Sequence, residues 1–112
     1  MATLRTVPRS EWRPFFDRVS KALLLGKRAE IEVASLEGGD QIVAEWIPMI
    51  GVTYDSKDDL LDVALDRDDH LVYHPKDIVV EESAAGLLSI AVTTADGTRE
   101  IVRLKEPLAL PA

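Results

Sequence analysis

The chain has 112 residues, of which 46% are hydrophobic and 29% are charged, and its formal net charge is −7 at pH 7. This length and composition predict a single domain over residues 1–112 with one hydrophobic core, and they argue against a disordered chain. The absence of cysteine excludes disulfides, zinc–thiolate centres, iron–sulfur clusters and thiol nucleophiles.

The charged side chains are unevenly distributed. Residues 55–82 contain ten acidic and three basic side chains, so this segment alone carries a net charge of −7. Residues 1–28 contain seven basic and two acidic side chains, which gives +5. Because nucleic-acid binding requires clustered positive charge, the negative overall charge predicts no nucleic-acid partner.

Apolar stretches long enough to enter a membrane are missing from the sequence. No run approaches the roughly 20 apolar residues that a membrane helix needs, and residues 22–25 are too few for the core of a signal peptide. We therefore expect no membrane span. Together with the lack of cysteine, this predicts a cytoplasmic protein.

Residues 10–25 (SEWRPFFDRVSKALLL) predict an amphipathic helix, because their apolar side chains recur with helical spacing. Gly26 is suited to end this helix, since glycine readily adopts the left-handed conformation that closes one. Basic side chains flank the apolar face, a pattern that membrane-surface and partner-docking helices also show. A small sheet needs that apolar face for its core, so we favour a core-forming helix.

After Gly26 the hydrophobic period changes from 3.6 to 2, which is typical of strands. Two hairpins are predicted, one turning at residues 37–40 and one at Asp96-Gly97. The predicted strand segments are 28–36, 41–47, 49–54, 60–66, 70–74, 78–82, 87–94 and 98–104. We predict an α+β fold: the N-terminal helix packs on a mostly antiparallel sheet of six or seven strands, with a barrel-like closure as an alternative, and residues 107–112 form an extended tail.

The acidic segment supplies the candidate binding residues. Asp66, Asp68, His70 and Asp77 fall at ligand positions of a calcium loop. Leu71 occupies the position that requires glycine, and the flanks read as strands. An EF-hand is therefore excluded. A weak divalent-cation site and a solvated pair of turns remain alternatives. The candidate residues are Asp55, Asp58, Asp59, Asp66, Asp68, Asp69, His70 and His74.

No catalytic constellation can be assembled from the sequence, so an enzyme is disfavoured and no cofactor or metal is predicted. His70 and His74 are the only histidines. On a strand they would lie about 13 Å apart, too far to share one ion. Either could act as a general base only if a concave pocket enclosed it.

Several segments in combination resemble a small uncharacterised bacterial family, a domain of unknown function. The strongest are residues 11–18 (EWRPFFDR) and 69–75 (DHLVYHP), with further matches at residues 28–33 and 51–55. The resemblance implies a bacterial source and a single-domain product. It implies no activity, cofactor or catalytic residue.

The sequence therefore leaves the function unknown, and it favours a non-catalytic interaction or accessory domain because the charges are split and catalytic motifs are missing. The alternative is a domain that binds a small ligand or a divalent cation through residues 55–70. An enzyme with a histidine base is less favoured. The partner is expected to be another protein or a second copy, joined in a homodimer through sheet edges or through opposite charges.

Overall fold

Antiparallel strands form a single sheet in the computed structural model, which describes residues 1–23 and 26–111. Within those residues there are eight strands, one α-helix (α1, Trp12–Ala22) and one 3-10 turn (Arg9–Glu11). The order across the sheet is β1-β6-β7-β8-β2-β3-β4-β5. The strands are β1 Thr3–Thr6, β2 Lys27–Ser35, β3 Gly39–Asp55, β4 Leu60–Leu65, β5 Asp69–Tyr73, β6 Pro75–Ser83, β7 Gly86–Thr94 and β8 Arg99–Leu108.

The α+β class and the antiparallel sheet are confirmed, but the predicted count of six or seven strands is wrong. The short strand β1 lies outside the predicted strand region and pairs with β6. Residues 41–47 and 49–54, predicted as two strands, form the single strand β3. Pro48 does not interrupt β3. Its carbonyl accepts a hydrogen bond from the Asp66 N–H at 2.9 Å, and pairing at this position does not require the N–H group that proline lacks. The last strand reaches Leu108, so it includes the first residues of the predicted tail.

The predicted helix over residues 10–25 is shorter in the structure, where α1 covers Trp12–Ala22. The residues before it form the 3-10 turn, and Leu24 and Leu25 lie outside the described residues. Gly26 does adopt the left-handed conformation, with φ of +69°, and its N–H donates to the Leu23 carbonyl at 2.8 Å. The helix therefore closes as its terminal glycine predicts.

The apolar face of α1 belongs to the core. Trp12, Phe15, Phe16 and Val19 are essentially inaccessible to solvent, and burial of each large side chain stabilises the fold by about 1.5–3 kcal/mol. This confirms the core-forming helix over a helix that docks on a membrane. In the described residues no helix has both the length and the apolar character needed to cross a bilayer.

The sheet is strongly curved around this core, and its pairing stays open. β1 and β5 end the hydrogen-bonded order, and no ladder joins these two strands in the described part of the chain. β5 runs directly into β6 through His74, whose φ is +53°. The His74 carbonyl accepts from the Ala95 N–H at 2.9 Å. The corner between β5 and β6 therefore contacts the turn between β7 and β8.

Strand β3 changes neighbours along its length. Its first part pairs with β2 on one edge, and its second part, from Met49 onward, pairs with β4 on the opposite edge. The remaining edge of the second part is covered by α1, where the Ser20 hydroxyl donates to the Val52 carbonyl at 2.8 Å and accepts from the Val52 N–H at 2.9 Å. Residues 40–47 pair with β2, and their other edge, on the side where β4 joins farther along, has no strand partner among the described residues.

Candidate functional site

The eight candidate residues do not form one site. They fall at the two turns that flank β4, a strand of six residues that spans about 20 Å. One group consists of Asp55, Asp58 and Asp59 at the turn between β3 and β4, together with His74, which contacts Asp59 from the corner between β5 and β6. The other lies at the turn between β4 and β5, and it consists of Asp66, Asp68, Asp69 and His70.

The first group forms a hydrogen-bonded corner. The Tyr54 hydroxyl donates to Asp59 Oδ1 at 2.8 Å, and the Arg9 guanidinium donates to the Tyr54 oxygen at 3.0 Å and to the Pro75 carbonyl at 2.9 Å. His74 Nδ1 lies 3.4 Å from Asp59 Oδ2, and its backbone N–H donates to the Asp59 carbonyl at 2.9 Å. These contacts tie the 3-10 turn, the β3–β4 turn and the β5–β6 corner together.

Backbone conformation and ionisation both indicate that this corner is structural. Asp59 and His74 have φ of +50° and +53°, in the left-handed region that non-glycine residues rarely adopt. The Tyr54 hydroxyl, aided by His74 and Arg9, lowers the pKa of Asp59, although burial opposes this shift. Burial and the neighbouring Asp59 carboxylate raise the pKa of Tyr54. The corner thus has an ionised aspartate whose oxygens already have partners.

Asp55 also has a structural role. Its Oδ1 atom accepts from the backbone N–H groups of Lys57 at 2.9 Å and of Asp58 at 3.3 Å, so it stabilises the turn that follows β3. The Asp58 side chain is exposed. The first group therefore contains turn and corner residues and encloses no cavity of its own.

The second group borders an open cleft between the unpaired edge of β3 and the β4–β5 turn. We call it the edge cleft; its volume is about 340 Å³. Its walls combine half-exposed aliphatic side chains with three acidic side chains and one basic side chain. The lining residues are Ile42, Val43, Ala44, Glu45, Ile47, Leu65, Arg67, Asp68, Asp69 and His70.

His70 connects the edge cleft to the interior of the sheet. Its Nε2 atom lies 2.5 Å from Oε1 of Glu100 on β8, a glutamate that is only 8% exposed. Glu100 is absent from the candidate residues, although the sequence contains a signal for it. It alternates with Val102 and Leu104, which are buried on the same face of β8, so the period-2 pattern places an acid at an inward position.

A second carboxylate outside the candidate list lies on the outer side of β4. Burial, together with the nearby Asp69 carboxylate, raises the pKa of Asp62. Its Oδ1 atom is buried and has no hydrogen-bond partner in the described residues. This carboxylate is therefore available to a donor from outside the described chain.

The arrangement offers little to a metal ion. Across residues 1–23 and 26–111 there is no group of three or more histidine or acidic side chains positioned to hold one. Two basic side chains of residues 1–28 form ion pairs within the chain, because Arg9 pairs with Asp59 at 3.4 Å and Arg5 pairs with Glu82 at 2.9 Å. Charge pairing between the basic and acidic parts thus occurs within the molecule.

This chain is similar to proteins of unknown function. A family described as "Family of unknown function (DUF5335)" matches residues 3–112. A protein of Aquifex aeolicus (strain VF5), named "Uncharacterized protein", is 40% identical over 112 residues, which cover 99% of each chain. No solved structure matches the chain. These matches confirm the resemblance found in the sequence.

Proposed function

The chain belongs to DUF5335, a family of unknown function, and we propose that it is a protein-interaction domain whose edge cleft binds an extended, positively charged segment of a partner protein. The observation that carries this proposal is the unpaired edge of β3 beside an acidic turn. The partner segment would extend the sheet as an added strand and place its basic side chains against the cleft.

The backbone of β3 supports strand addition. Residues 40–47 expose one edge, and unpaired strand edges bind other strands unless the fold protects them. Farther along the same edge, from Met49 onward, β3 is paired with β4, whereas the part beside the cleft is left open. Register shifts on both sides of Ala44, together with the positive φ of Trp46 (+52°), interrupt this part of β3, so the segment that can accept a strand is short.

The side chains of the edge cleft define the partner. Ile42 and Val43 are 50% and 48% exposed and would contact aliphatic side chains. Glu45, Asp68 and Asp69 outnumber Arg67, so the cleft favours lysine and arginine over acidic residues. An extended segment that alternates aliphatic and basic residues fits both features, because successive side chains of a strand point in opposite directions.

A second candidate function is the binding of a small molecule in the same cleft. It is favoured by His70, which lines the cleft and is held at 2.5 Å from Glu100, so its orientation is fixed from behind. The cleft volume of about 340 Å³ is at the lower end of the range for ligand pockets. We rank this candidate second, because among the described residues no group of metal ligands and no serine, threonine, cysteine or lysine side chain lines the cleft.

The test is a titration with a fluorescein-labelled peptide of about eight alternating lysine and valine residues, a length that covers the open edge. Fluorescence polarisation gives the affinity, and amide chemical shifts in a 15N-labelled protein locate the peptide. The shifts should be concentrated at residues 40–46 and 66–70. A peptide of the same sequence that is N-methylated at alternate residues keeps its charge but loses strand hydrogen bonds, and it should bind at least about tenfold more weakly.

Charge variants separate the edge cleft from the overall acidity of the molecule. The double variant Glu45→Gln/Asp68→Asn removes two charges from the cleft and should weaken binding about tenfold. The matched control Asp58→Asn/Asp77→Asn removes two exposed charges elsewhere and should leave binding within about twofold. Equal losses in the two variants, or equal affinity for the N-methylated peptide, would contradict strand addition at this edge.

A further inference from the structure

The outer surface of β3, β4 and β5 carries exposed apolar side chains among its polar ones. The register aligns Thr53, Asp62 and Leu71 in one row and Asp55, Leu60 and Tyr73 in the next. Ile50, at the bulge in β3, extends the same surface. Ile50, Leu71 and Tyr73 are 59%, 37% and 57% exposed. Clustered apolar side chains of this kind commonly mark an interface.

Helix α1 borders this sheet surface on the side of β3. Arg13, Pro14 and Asp17 line a shallow cleft with Thr53, which places the exposed side of the helix beside the sheet face. The exposed side of α1 is rich in positive charge. Within the described residues neither Arg13 nor Arg18 forms an ion pair, although Arg18 lies over the Phe15 ring.

The charges are arranged for pairing with an identical surface. Across the surface the order is α1, β3, β4 and β5, with basic side chains at the helix and acidic side chains, Asp62 and Asp69, toward β5. A two-fold axis near β3 and β4 would place α1 of one copy over β5 of the other, and the reverse. Such an isologous contact brings opposite charges together twice.

We propose that two copies of this chain form a homodimer in which the basic face of α1 in one copy packs on the outer surface of β4 and β5 in the other. The contact would cover Leu71 and Tyr73 and bring Arg13 toward the unpartnered Oδ1 atom of Asp62. Asp62, Leu71 and Tyr73 do not line the edge cleft, and Asp69 alone is shared with it, so the homodimer does not depend on the proposed peptide binding.

Sedimentation equilibrium of the full chain, over a range from about 10 μM to about 1 mM, tests the proposal. Tyr73→Glu places a charge inside the contact and should weaken association at least about tenfold. Leu36→Glu is its control, because Leu36 is 85% exposed on the turn between β2 and β3 and lies outside the contact. Arg13→Glu should weaken association similarly. Lys76→Glu, which changes an exposed side chain of β6, should not weaken it.

Mixing two defective variants tests the symmetry of the contact. A heterodimer of Arg13→Glu with Asp62→Lys contains one contact in which the two opposite charges are exchanged and one contact with neither change, whereas each variant alone places like charges together in both contacts. The mixture should therefore associate more tightly than either variant alone. A homodimer formed by pairing identical strand edges would not be rescued in this way.

Salt and folding provide the remaining controls. Raising the ionic strength should weaken association several-fold, because exposed charges are screened. Thermal unfolding of each variant checks that these substitutions leave the fold intact. A chain that is monomeric at about 1 mM, a dimer insensitive to Tyr73→Glu and Arg13→Glu, or a mixture without recovery would each overturn the proposal.

Discussion

At the scale of single residues, the contact between His70 and Glu100 is the most informative feature of the chain. A glutamate buried in the inner face of a sheet is destabilising unless a partner satisfies it. His70 is that partner, and it comes from β5, which is not adjacent to β8 in the sheet. The pair therefore joins two strands that share no backbone hydrogen bonds.

Replacing His70 should reveal this dependence. His70→Ala leaves the Glu100 carboxylate buried and unpaired, and we expect the free energy of unfolding to fall by about 2–3 kcal/mol. The double variant His70→Leu/Glu100→Leu removes both polar groups and should be less destabilised than His70→Ala. Urea unfolding measures both, with Lys76→Ala, which changes an exposed side chain of β6, as the control. A double variant that is destabilised as much as His70→Ala, or more, would contradict the pairing.

Asp59 should make the stability depend on pH at the acidic end of the scale. Because its pKa in the folded state lies below the ordinary value of 3.8, its contribution is present above the unfolded-state pKa and is lost as the pH falls through the folded-state pKa. Asp59→Asn tolerates the positive φ but lacks the charge. The stability difference between this variant and the parent, measured by urea unfolding, should shrink between about pH 5 and about pH 2. A constant difference would contradict the role of the ionised carboxylate.

The sequence pattern identified the histidine and the acids of the edge cleft but not their grouping. His70, Asp68 and Asp69 are among the predicted binding residues, whereas Glu45 and Glu100 are not. Proximity in sequence grouped Asp59 with Asp68, yet a whole strand separates them. Pairing register, which depends on contacts distant in sequence, decides which acids meet.

At the scale of elements, α1 protects a strand edge as well as filling the core. Ser20→Ala removes both hydrogen bonds to the Val52 backbone, so we expect a loss of about 1–2 kcal/mol. Ser56→Ala, in the exposed turn after β3, should change stability by less than about 0.5 kcal/mol. Urea unfolding and hydrogen exchange at the Val52 amide provide the measurements. Unchanged exchange at that amide would contradict the protective role.

Two glycines with positive φ should differ in their tolerance of alanine. A Cβ atom at Gly86 would lie 2.4 Å from the Leu108 carbonyl oxygen, whereas one at Gly39 would meet nothing within 4 Å. We expect Gly86→Ala to destabilise by about 3 kcal/mol, through the clash and the strained backbone. Gly39→Ala should cost about 1 kcal/mol, through the backbone alone. Thermal unfolding compares them, and equal losses would show that the close approach to β8 is unimportant.

The elements were predicted where the local pattern is strong. The hairpin at Asp96-Gly97 joins β7 and β8, and the turn before Gly39 joins β2 and β3, both as predicted. Strand β1 was missed because four polar-rich residues carry no clear period, and only the edge of β6 makes them a strand. The continuity of β3 through Pro48 was missed because local rules treat proline as a breaker, while the change of neighbours at that point makes it tolerable.

At the scale of the whole molecule, helix and sheet share one core and should unfold together. Deletion of residues 1–25 removes Trp12, Phe15, Phe16 and Val19 from the core cluster. We expect the remaining chain to lack a cooperative thermal transition and dispersed amide resonances, because an open sheet face would be exposed. A cooperative transition in the deletion variant would show that the helix is an appendage.

The separation of the acidic turns by β4 has a consequence for how the molecule can assemble with others. A macromolecule that occupies one turn leaves the other turn in solvent, about 20 Å away. A substitution at one turn should therefore leave the other turn undisturbed. A single acidic patch would not allow this independence.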